Sequence, residues 1–441
     1  MKKRYYVLAR IIGFLLVALC TAVFLIQVPS VQTQLTKAAV SMLSEKLDAD
    51  ISIGKVQIVP GSGLHITDLA VIDRKPYTED RYGKGYEPSD SFFVASSIKA
   101  RITLSGLLRG MPLRFSSVQV DGGQMCLVAE PDAEPYLNNL QRIFGIPASD
   151  VPSPPGTEDI FSIKNVQINN FRFRLKNFTE IPQVSHPGGY GFNWQDLEVF
   201  TNVTAHNLHF NNGIMSGGCE RCEIWTRDGY RIHSVTGDVA VGRGKTLIKN
   251  LNIVDDWSDL KLDYFTMTYS NGLVFQQFTD SVSLAGKFVP GTLSFQTLKN
   301  IVGIMPDNTV LLDIEQGEVR GPVNKLNING LIFQEKASGI KGRIDRASLN
   351  GVTDIENFSF SADIPYIRIN SQSVPGFVSR FSGKDGIKIP DGLDTDIDLS
   401  IKGEGLLNDF NADVILLTGI GKAYANANIL HLTNPNRDIG I

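Results

Sequence analysis

No residue between Ile11 and Ile26 is charged, and this run constrains what the rest of the chain can be. Val7, Leu8 and Ala9 lengthen the apolar stretch, and Arg10 can reach the interface along its own aliphatic stem. The span Val7–Val28 is roughly 22 residues, about 33 Å as a helix, enough to cross a hydrocarbon core of about 30 Å. Ile11, Phe14, Leu15, Leu19, Phe24 and Ile26 are its expected anchor residues. Lys2, Lys3 and Arg4 precede the span, whereas only Lys37, Glu45 and Lys46 are charged between Gln27 and Leu47. That asymmetry places the N-terminus in the cytoplasm and the bulk of the chain across the membrane. A cleaved signal peptide fits less well, because the run is long and leaves through Ile26-Gln27-Val28-Pro29 with no small-x-small site. A lipoprotein site at Cys20 is disfavoured by Leu19, which stands where a small residue is wanted.

Pro29-Ser30 breaks the span, and Ser30 is a fair N-cap. Val31, Leu35, Ala38, Ala39, Met42 and Leu43 then recur at helical spacing and predict a short amphipathic helix to Leu47, packed on the strands that follow. Strand alternation starts at Ile51. Ile51 and Ile53 are followed by Val56 and Ile58, and the phase shift at Gly54-Lys55 predicts a bulge. A turn at Pro60–Gly63 leads to Leu64 and Ile66, then Leu69 and Val71. Alternation recurs as far as Ala423, Ala425, Ala427 and Ile429. Residues 74–91 and 147–158 read as loops. Short helices are predicted from Pro135 to Phe144 and after Ser294 to Val302. At roughly 13–15 residues per strand and connection, residues 50–441 would form on the order of 26–30 strands.

One phrase recurs. Ile51-Ser-Ile-Gly-Lys-Val-Gln-Ile58 resembles Phe115-Ser-Ser-Val-Gln-Val120 and Phe161-Ser-Ile-Lys-Asn-Val-Gln-Ile168, with a weaker echo at Leu247–Ile253. Asp-Gly-Gly follows the second copy and Asn-Asn the third, and both predict hairpin turns. The unequal intervals exclude a strict solenoid and suggest one hairpin type used repeatedly.

Chemistry-bearing motifs are weak. A net charge of −4 with 20% charged residues provides no basic field for nucleic acid. Gly242-Arg-Gly-Lys-Thr246 lacks the first glycine of a phosphate loop, since Val239 stands in its place. Cys219-Glu-Arg-Cys222 with His206, His209 and His233 invites a zinc reading. In a regular strand, however, residues three apart face opposite sides, about 10 Å apart, too far for one metal or a disulfide, and only a turn at Gly217-Gly218 extending into the pair would bring them together. Asp394, Asp396 and Asp398 alternate as an exposed strand face would and lack the glycine and distal glutamate of a calcium loop. No catalytic constellation stands out, so neither an enzyme, a metal centre nor a cofactor is expected.

The opening resembles the AsmA-like family, and most closely its TamB branch of the Bacteroidales type. The carrying stretches are the N-terminal span, Val28-Pro-Ser-Val-Gln-Thr-Gln-Leu35, Ile51–Ile58, Leu64-His-Ile-Thr-Asp-Leu69, Ile102-Thr-Leu-Ser-Gly-Leu-Leu-Arg109 and Gly317-Glu-Val-Arg-Gly-Pro-Val323. The resemblance implies an inner-membrane protein, single-pass, with an elongated, open, taco-like β groove in the periplasm. It implies that the groove conducts phospholipid toward the outer membrane. It also implies an outer-membrane barrel partner, met through a C-terminal region that this sequence does not include. Three segments follow: 1–29 a cytoplasmic stub and transmembrane anchor, 30–49 the amphipathic helix, and 50–441 the mainly β groove domain. Val56, Ile58, Val118, Val120, Val166, Ile168, Phe171 and Phe173 are the expected groove-lining residues. The competing expectation is a factor that assembles outer-membrane proteins through its sheet edges, without lipid transport.

Overall fold

A computed structural model describes residues 34, 40–41, 44–45, 47–59, 63–74, 91–102, 113–129, 138–144, 159–177, 191–193, 196–211, 214–242, 244–269, 278–302, 310–352, 357–376, 394–407, 409–419, 421–430 and 438–440. The expected membrane span and its anchor residues Ile11, Phe14, Leu15, Leu19, Phe24 and Ile26 lie outside the described residues, as do the loops 75–90 and 147–158. Among the described residues, no helix is long and apolar enough to cross a membrane. Gln34, Val40, Ser41, Ser44 and Glu45 are helical, within the stretch read as the amphipathic helix.

The protein is mainly β. Strands β1 (Ala49–Val59), β2 (Gly63–Asp73), β3 (Phe93–Ile102), β4 (Leu113–Ala129), β5 (Asp159–Asn177) and β6 (Asp196–Asn211) form one compact unit, with helix α1 (Asn139–Phe144). A second unit begins with β7 (Ile214–Thr226), β8 (Arg231–Gly242), β9 (Lys245–Asp255), β10 (Asp259–Thr268), β11 (Ser283–Phe288), β12 (Gly291–Ser294), β13 (Leu311–Gly321) and β14 (Lys325–Glu335). It continues through β15 (Lys341–Asn350), β16 (Ser359–Asn370), β17 (Asp396–Leu406), β18 (Phe410–Thr418), β19 (Gly421–Leu430) and β20 (Asp438–Gly440). It also holds helices α2 (Phe278–Ser281) and α3 (Phe295–Val302). The described strands number 20, fewer than the 26–30 expected, because individual strands are long, up to the 19 residues of β5.

In the first unit, β1 to β4 meander antiparallel. The β4–β5 pair departs from the expected hairpins. These two strands run parallel, with Val118 opposite Val166, Gln119 opposite Gln167 and Val120 opposite Ile168. The second and third copies of the recurring phrase therefore lie side by side in register, as stacked repeats would. The hairpin turns expected after them do not form: β4 continues through Asp121-Gly122-Gly123 and β5 through Asn169-Asn170. Gly122 (φ 61°) and Asn170 (φ 52°) adopt the left-handed conformation that a turn would need, and they spend it on a break in the ladder within a continuous strand.

That break runs across the unit at one level. The ladders skip Gly54 and Asp68 (φ 52°) between β1 and β2, Ser96 in β3, Gly122 in β4 and Asn170 in β5. At β6 it ends as a bulge, and the Asn202 Oδ1 accepts the Asn170 amide at 2.8 Å. The bulge expected at Gly54-Lys55 is not one: Gly54 lies level with Asp68, with no extra residue on either strand, and is the first position of this line.

Short helices close one end of each unit. Asn138 Oδ1 caps α1 by accepting from Gln141 N at 2.9 Å. Asn139 mimics a strand, since its Oδ1 accepts from Val128 N and its Nδ2 donates to the Cys126 carbonyl, both at 3.0 Å. Ile143 packs with Ala49 and Phe92, and Leu47, Val71, Phe93 and Met125 lie against them. In the second unit, Ser294 starts α3 as expected, its Oγ accepting from Gln296 N at 3.1 Å. Thr297 and Asn300 of α3 are buried.

Candidate binding face

Alternation alone would turn Phe171 away from Ile168. The break at Asn170 restores it, and each strand from β1 to β5 therefore carries apolar residues three apart across the break: Ile53/Val56, Ile66/Leu69, Ala95/Ile98, Val120/Gly123 and Ile168/Phe171. Cross-strand partners share a face. Following the register through the unit gives four rows, each crossing six strands. Ile58, Leu64, Ala100, Val118, Val166 and Ala205 form the first, and Val56, Ile66, Ile98, Val120, Ile168 and Val203 the second. Beyond the break come Ile53, Leu69, Ala95, Gly123, Phe171 and Thr201, then Ile51, Val71, Phe93, Met125, Phe173 and Val199. Phe93 and Phe171, in neighbouring rows, approach with ring centroids 6.1 Å apart.

All eight residues selected from the sequence, Val56, Ile58, Val118, Val120, Val166, Ile168, Phe171 and Phe173, fall on this face. Sequence reading missed the β2, β3 and β6 members as lining residues. Their signal was present, since Leu64/Ile66 and Ile98/Ala100 alternate, but only the register shows which rows they join. The face carries no charge, and Thr201 is its polar member. At about 4.8 Å between strands and 3.4 Å per residue it measures about 24 Å by about 24 Å. Helix α1 covers its far row at Val71, Phe93 and Met125. The second row is half-buried throughout, and Ile58 in the first is 39% exposed.

The opposite face is polar. Gln57, His65, Lys99, Gln119, Gln167 and Thr204 form one row across it. Asp121 accepts from Asn169 Nδ2 at 2.7 Å and from Gln119 Nε2 at 2.8 Å, with Lys99 Nζ at 3.8 Å. The hydrogen bonds, with the lysine charge, hold its carboxyl below the usual carboxylate range.

The second unit repeats the division on a larger scale. One row runs Gly217, Val239, Ile248, Phe265, Gly286 and Val319 across β7–β11 and β13. It continues through Ile328, Ala347, Ala362, Gly403, Ala412 and Ala427 to β19, with no polar side chain. Eleven strand spacings make this about 53 Å of apolar path. Breaks again keep the face in phase, at Asn250 (φ 51°), Asp263, Gly330 (φ 58°) and Pro365. Proline suits such a level because it has no amide to donate. A cavity of about 640 Å³ is lined by residues that include Gly291, Ile314, Phe333, Gly342, Arg343 and Tyr366.

Asp255 is 6% exposed. Its Oδ2 accepts from Tyr230 Oη at 3.0 Å and Thr297 Oγ1 at 2.7 Å, and its Oδ1 from the amides of Trp257 and Ser258 at 2.9 and 2.6 Å. Each oxygen is engaged twice, which accounts for a buried acid without assigning it chemistry. Among the described residues, no group of three or more His, Cys, Asp or Glu could hold a metal ion. Cys219 and Cys222 do not behave as residues three apart in a regular strand: β7 bulges at Glu220-Arg221, pairing Cys219 with Gly237 and Cys222 with Val235. Both thiols therefore face the same side, and the expected opposition of the pair is corrected.

A scan against protein-family models, a search of curated proteins and a search of solved structures each give no match.

Proposed function

We propose that this chain is an inner-membrane-anchored periplasmic protein that conducts phospholipid along the apolar face of its sheet toward the outer membrane. The observation that carries the reading is the set of uncharged rows, four across six strands in one unit, where the opposite face is polar, and one across twelve strands in the other. An antiparallel sheet of this kind buries one face and solvates the other. Contiguous exposed apolar patches beyond a few hundred Å² mark interaction sites, and the four rows of the first unit span about 24 Å by about 24 Å, on the order of 600 Å². Acyl chains suit such a face because they need no hydrogen bonds and no charge. The polar groups that remain, at the ends and on the outer face, would meet headgroups and water. The charge-free run Ile11–Ile26 supplies the anchor, and the resemblance to AsmA-like proteins supports the direction of transport.

The test is lipid content. The full chain, extracted in mild detergent and exchanged into lipid-free micelles, should retain phospholipid at a fixed molar ratio by mass spectrometry. Photocrosslinkers at Val120 and Ile168 should attach to acyl chains. Crosslinks from β1 to nascent outer-membrane barrels, with no retained lipid, would replace this reading by the assembly-factor one.

A further inference from the structure

Register divides the cavity of the second unit into three consecutive rows. Gly291, Ile314, Phe333 and Gly342 are cross-strand partners and form the middle row. Thr292, Asp313, Gln334 and Lys341 form the row on one side of it, and Ile332, Arg343 and Tyr366 the row on the other. The middle row belongs to the apolar face, since Phe333 alternates with Leu331, which the break at Gly330 keeps in phase with Ile328. Its neighbours on that face, Leu312, Leu331, Ile344 and Ile367, do not line the cavity. The cavity therefore opens on the outer face, with the two flanking rows as side-chain walls and the backbone of the middle row as floor. A bulge at Glu315 in β13 and another at Pro365-Tyr366 in β16 stand on either side of it, and bulges bend a sheet locally.

Charges of opposite sign face each other across this floor. Lys341 and Arg343 are two residues apart in β15, about 7 Å along the strand and on one face. Glu315 lines the cavity from β13, two strand spacings or about 10 Å away. All three are exposed. Among the described residues, the side chains of Lys341, Gln334 and Glu315 have no hydrogen-bond or ion-pair partner. Arg343 donates its Nε to Asp345 Oδ1 at 2.6 Å, which leaves its terminal nitrogens for an oxyanion. Asp313, by contrast, is already held by Lys336 Nζ at 3.1 Å. Half-buried Ile332 lies between the cationic and the acidic wall, and Tyr366 continues the apolar surface beyond Arg343.

We propose that this outer-face cavity binds a small phosphorylated amine, its phosphate between Lys341 and Arg343 and its ammonium at Glu315. Charge complementarity selects a zwitterion, because a simple anion would leave Glu315 unanswered and a simple cation would leave Lys341 and Arg343 so. Length narrows the class. With a hydrogen bond of about 3 Å at each end, about 4 Å remains between the charges of the ligand. The single carbon between the charges of an α-amino acid is too short for that, whereas the ester oxygen and ethylene of ethanolamine phosphate span it. A cavity of about 640 Å³ lies within the usual range for small-molecule sites and leaves room for a larger body attached to that fragment, over Ile332 and Tyr366. The inference is independent of what the apolar face carries.

Ethanolamine phosphate is the probe. Calorimetric titration of the full chain, in a non-ionic detergent and a phosphate-free buffer, should show saturable binding. Inorganic phosphate and ethanolamine each carry one end of the probe, and each should bind at least about tenfold more weakly. Lys341→Gln and Glu315→Gln should each weaken the probe by about tenfold. Their thermal melts should match wild type, because both side chains are exposed and unengaged. Inorganic phosphate binding as tightly as the probe would reduce the cavity to an anion site and overturn the proposal. So would binding that both variants retain, or the absence of saturation at millimolar probe.

Discussion

Arg142 ties the start of the first unit to its helix, and its removal is a quantitative test of how the apolar face is closed at that end. Its Nη1 donates to Asp48 Oδ2 at 2.5 Å, and its Nη2 to both oxygens of Asp73 at 2.5 and 2.6 Å. The arginine and Asp73 side chains are 14% and 4% exposed, while Asp48 is 48% exposed. Arg142→Ala would therefore leave the Asp73 carboxylate nearly buried with its main counter-charge gone. Breaking a buried pair from one side typically costs 3–5 kcal/mol, and the exposed Asp48 arm adds about 0–1. With some water access to the arginine, we expect about 3 kcal/mol. Arg74, which pairs with Asp50 at 2.9 Å, provides the contrast: both side chains are well exposed, so Arg74→Ala should cost about 0–1 kcal/mol. Amide hydrogen exchange reads this directly, because the Asp48 amide donates to the Ile143 carbonyl at 3.2 Å and detaching α1 frees it. A loss of 3 kcal/mol lowers protection there and at Cys126–Val128 by about 150-fold. Adding Asp73→Asn to Arg142→Ala should recover part of the loss, since no charge is then stranded. Protection in Arg142→Ala within about fivefold of wild type, matching Arg74→Ala, would refute the reasoning.

Val120→Asp together with Phe173→Asp places charges in two separate rows that are not cross-strand partners. Each should cost about 1–2 kcal/mol from lost cross-strand packing, leaving the circular dichroism of the sheet unchanged while retained phospholipid falls several-fold. Unchanged lipid in a folded double variant would count against the transport reading. Asp398 accepts from Arg368 Nε at 2.7 Å and Nη2 at 2.9 Å, and that hydrogen bonding, together with the arginine charge, holds its carboxyl below the usual value. A depressed folded pKa stabilises above the unfolded value, about 3.9, and that stability is lost as pH falls through the folded value. Urea midpoints from pH 5 to pH 2 should therefore decline less steeply in Asp398→Asn, and superimposable profiles would exclude the link. In Gly342→Ala the new Cβ would lie 2.5 Å from Phe333 Cζ, so an overpacking cost of about 1–3 kcal/mol is expected in thermal melts. Gly421→Ala, with nothing within 4 Å, should melt like wild type.

Much of this fold was legible residue by residue, and much less of it in register. The alternation at Ile51–Ile58, the change of phase at Gly54, the Ser294 start of α3 and the eight face residues could be read because side-chain period depends only on local backbone. Asp121-Gly-Gly and Asn169-Asn170 were read as turns for a physical reason. A left-handed residue between apolar runs serves a hairpin turn or a break in a continuous strand equally well, and only the pairing partner decides. The parallel β4–β5 ladder had the same status. The shared Val-Gln-Val and Val-Gln-Ile showed that the strands were alike, not which way they ran. A regular strand would separate Cys219 and Cys222, and Gly217-Gly218, just before the pair, is the one local signal of the bulge at Glu220-Arg221.

The aligned breaks explain why the recurring phrase has its form. In β1 the phrase holds two apolar pairs, Ile51/Ile53 and Val56/Ile58, separated by one residue too many for strict alternation; in β5 the corresponding residue, Lys164, is skipped on a second line, against Ser116 and Asn207. On a lone strand such a residue would turn half of the apolar side chains outward. It is tolerated only if the neighbouring strands break at the same level, so that Ile53 still meets Leu69 and Val56 still meets Ile66. Each strand therefore constrains the next, and the constraint propagates as a line from Gly54 to Asn170. It stops at β6, where Thr201 and Val203 alternate without an extra residue and two residues of β5 must face one. There the side chain of Asn202 takes the Asn170 amide that the ladder leaves over. A break repeated at one level bends every strand at the same height and strengthens the local twist. Long strands can then keep one uninterrupted apolar face on both sides of the break, which a strictly alternating strand carrying the same extra residue would not do.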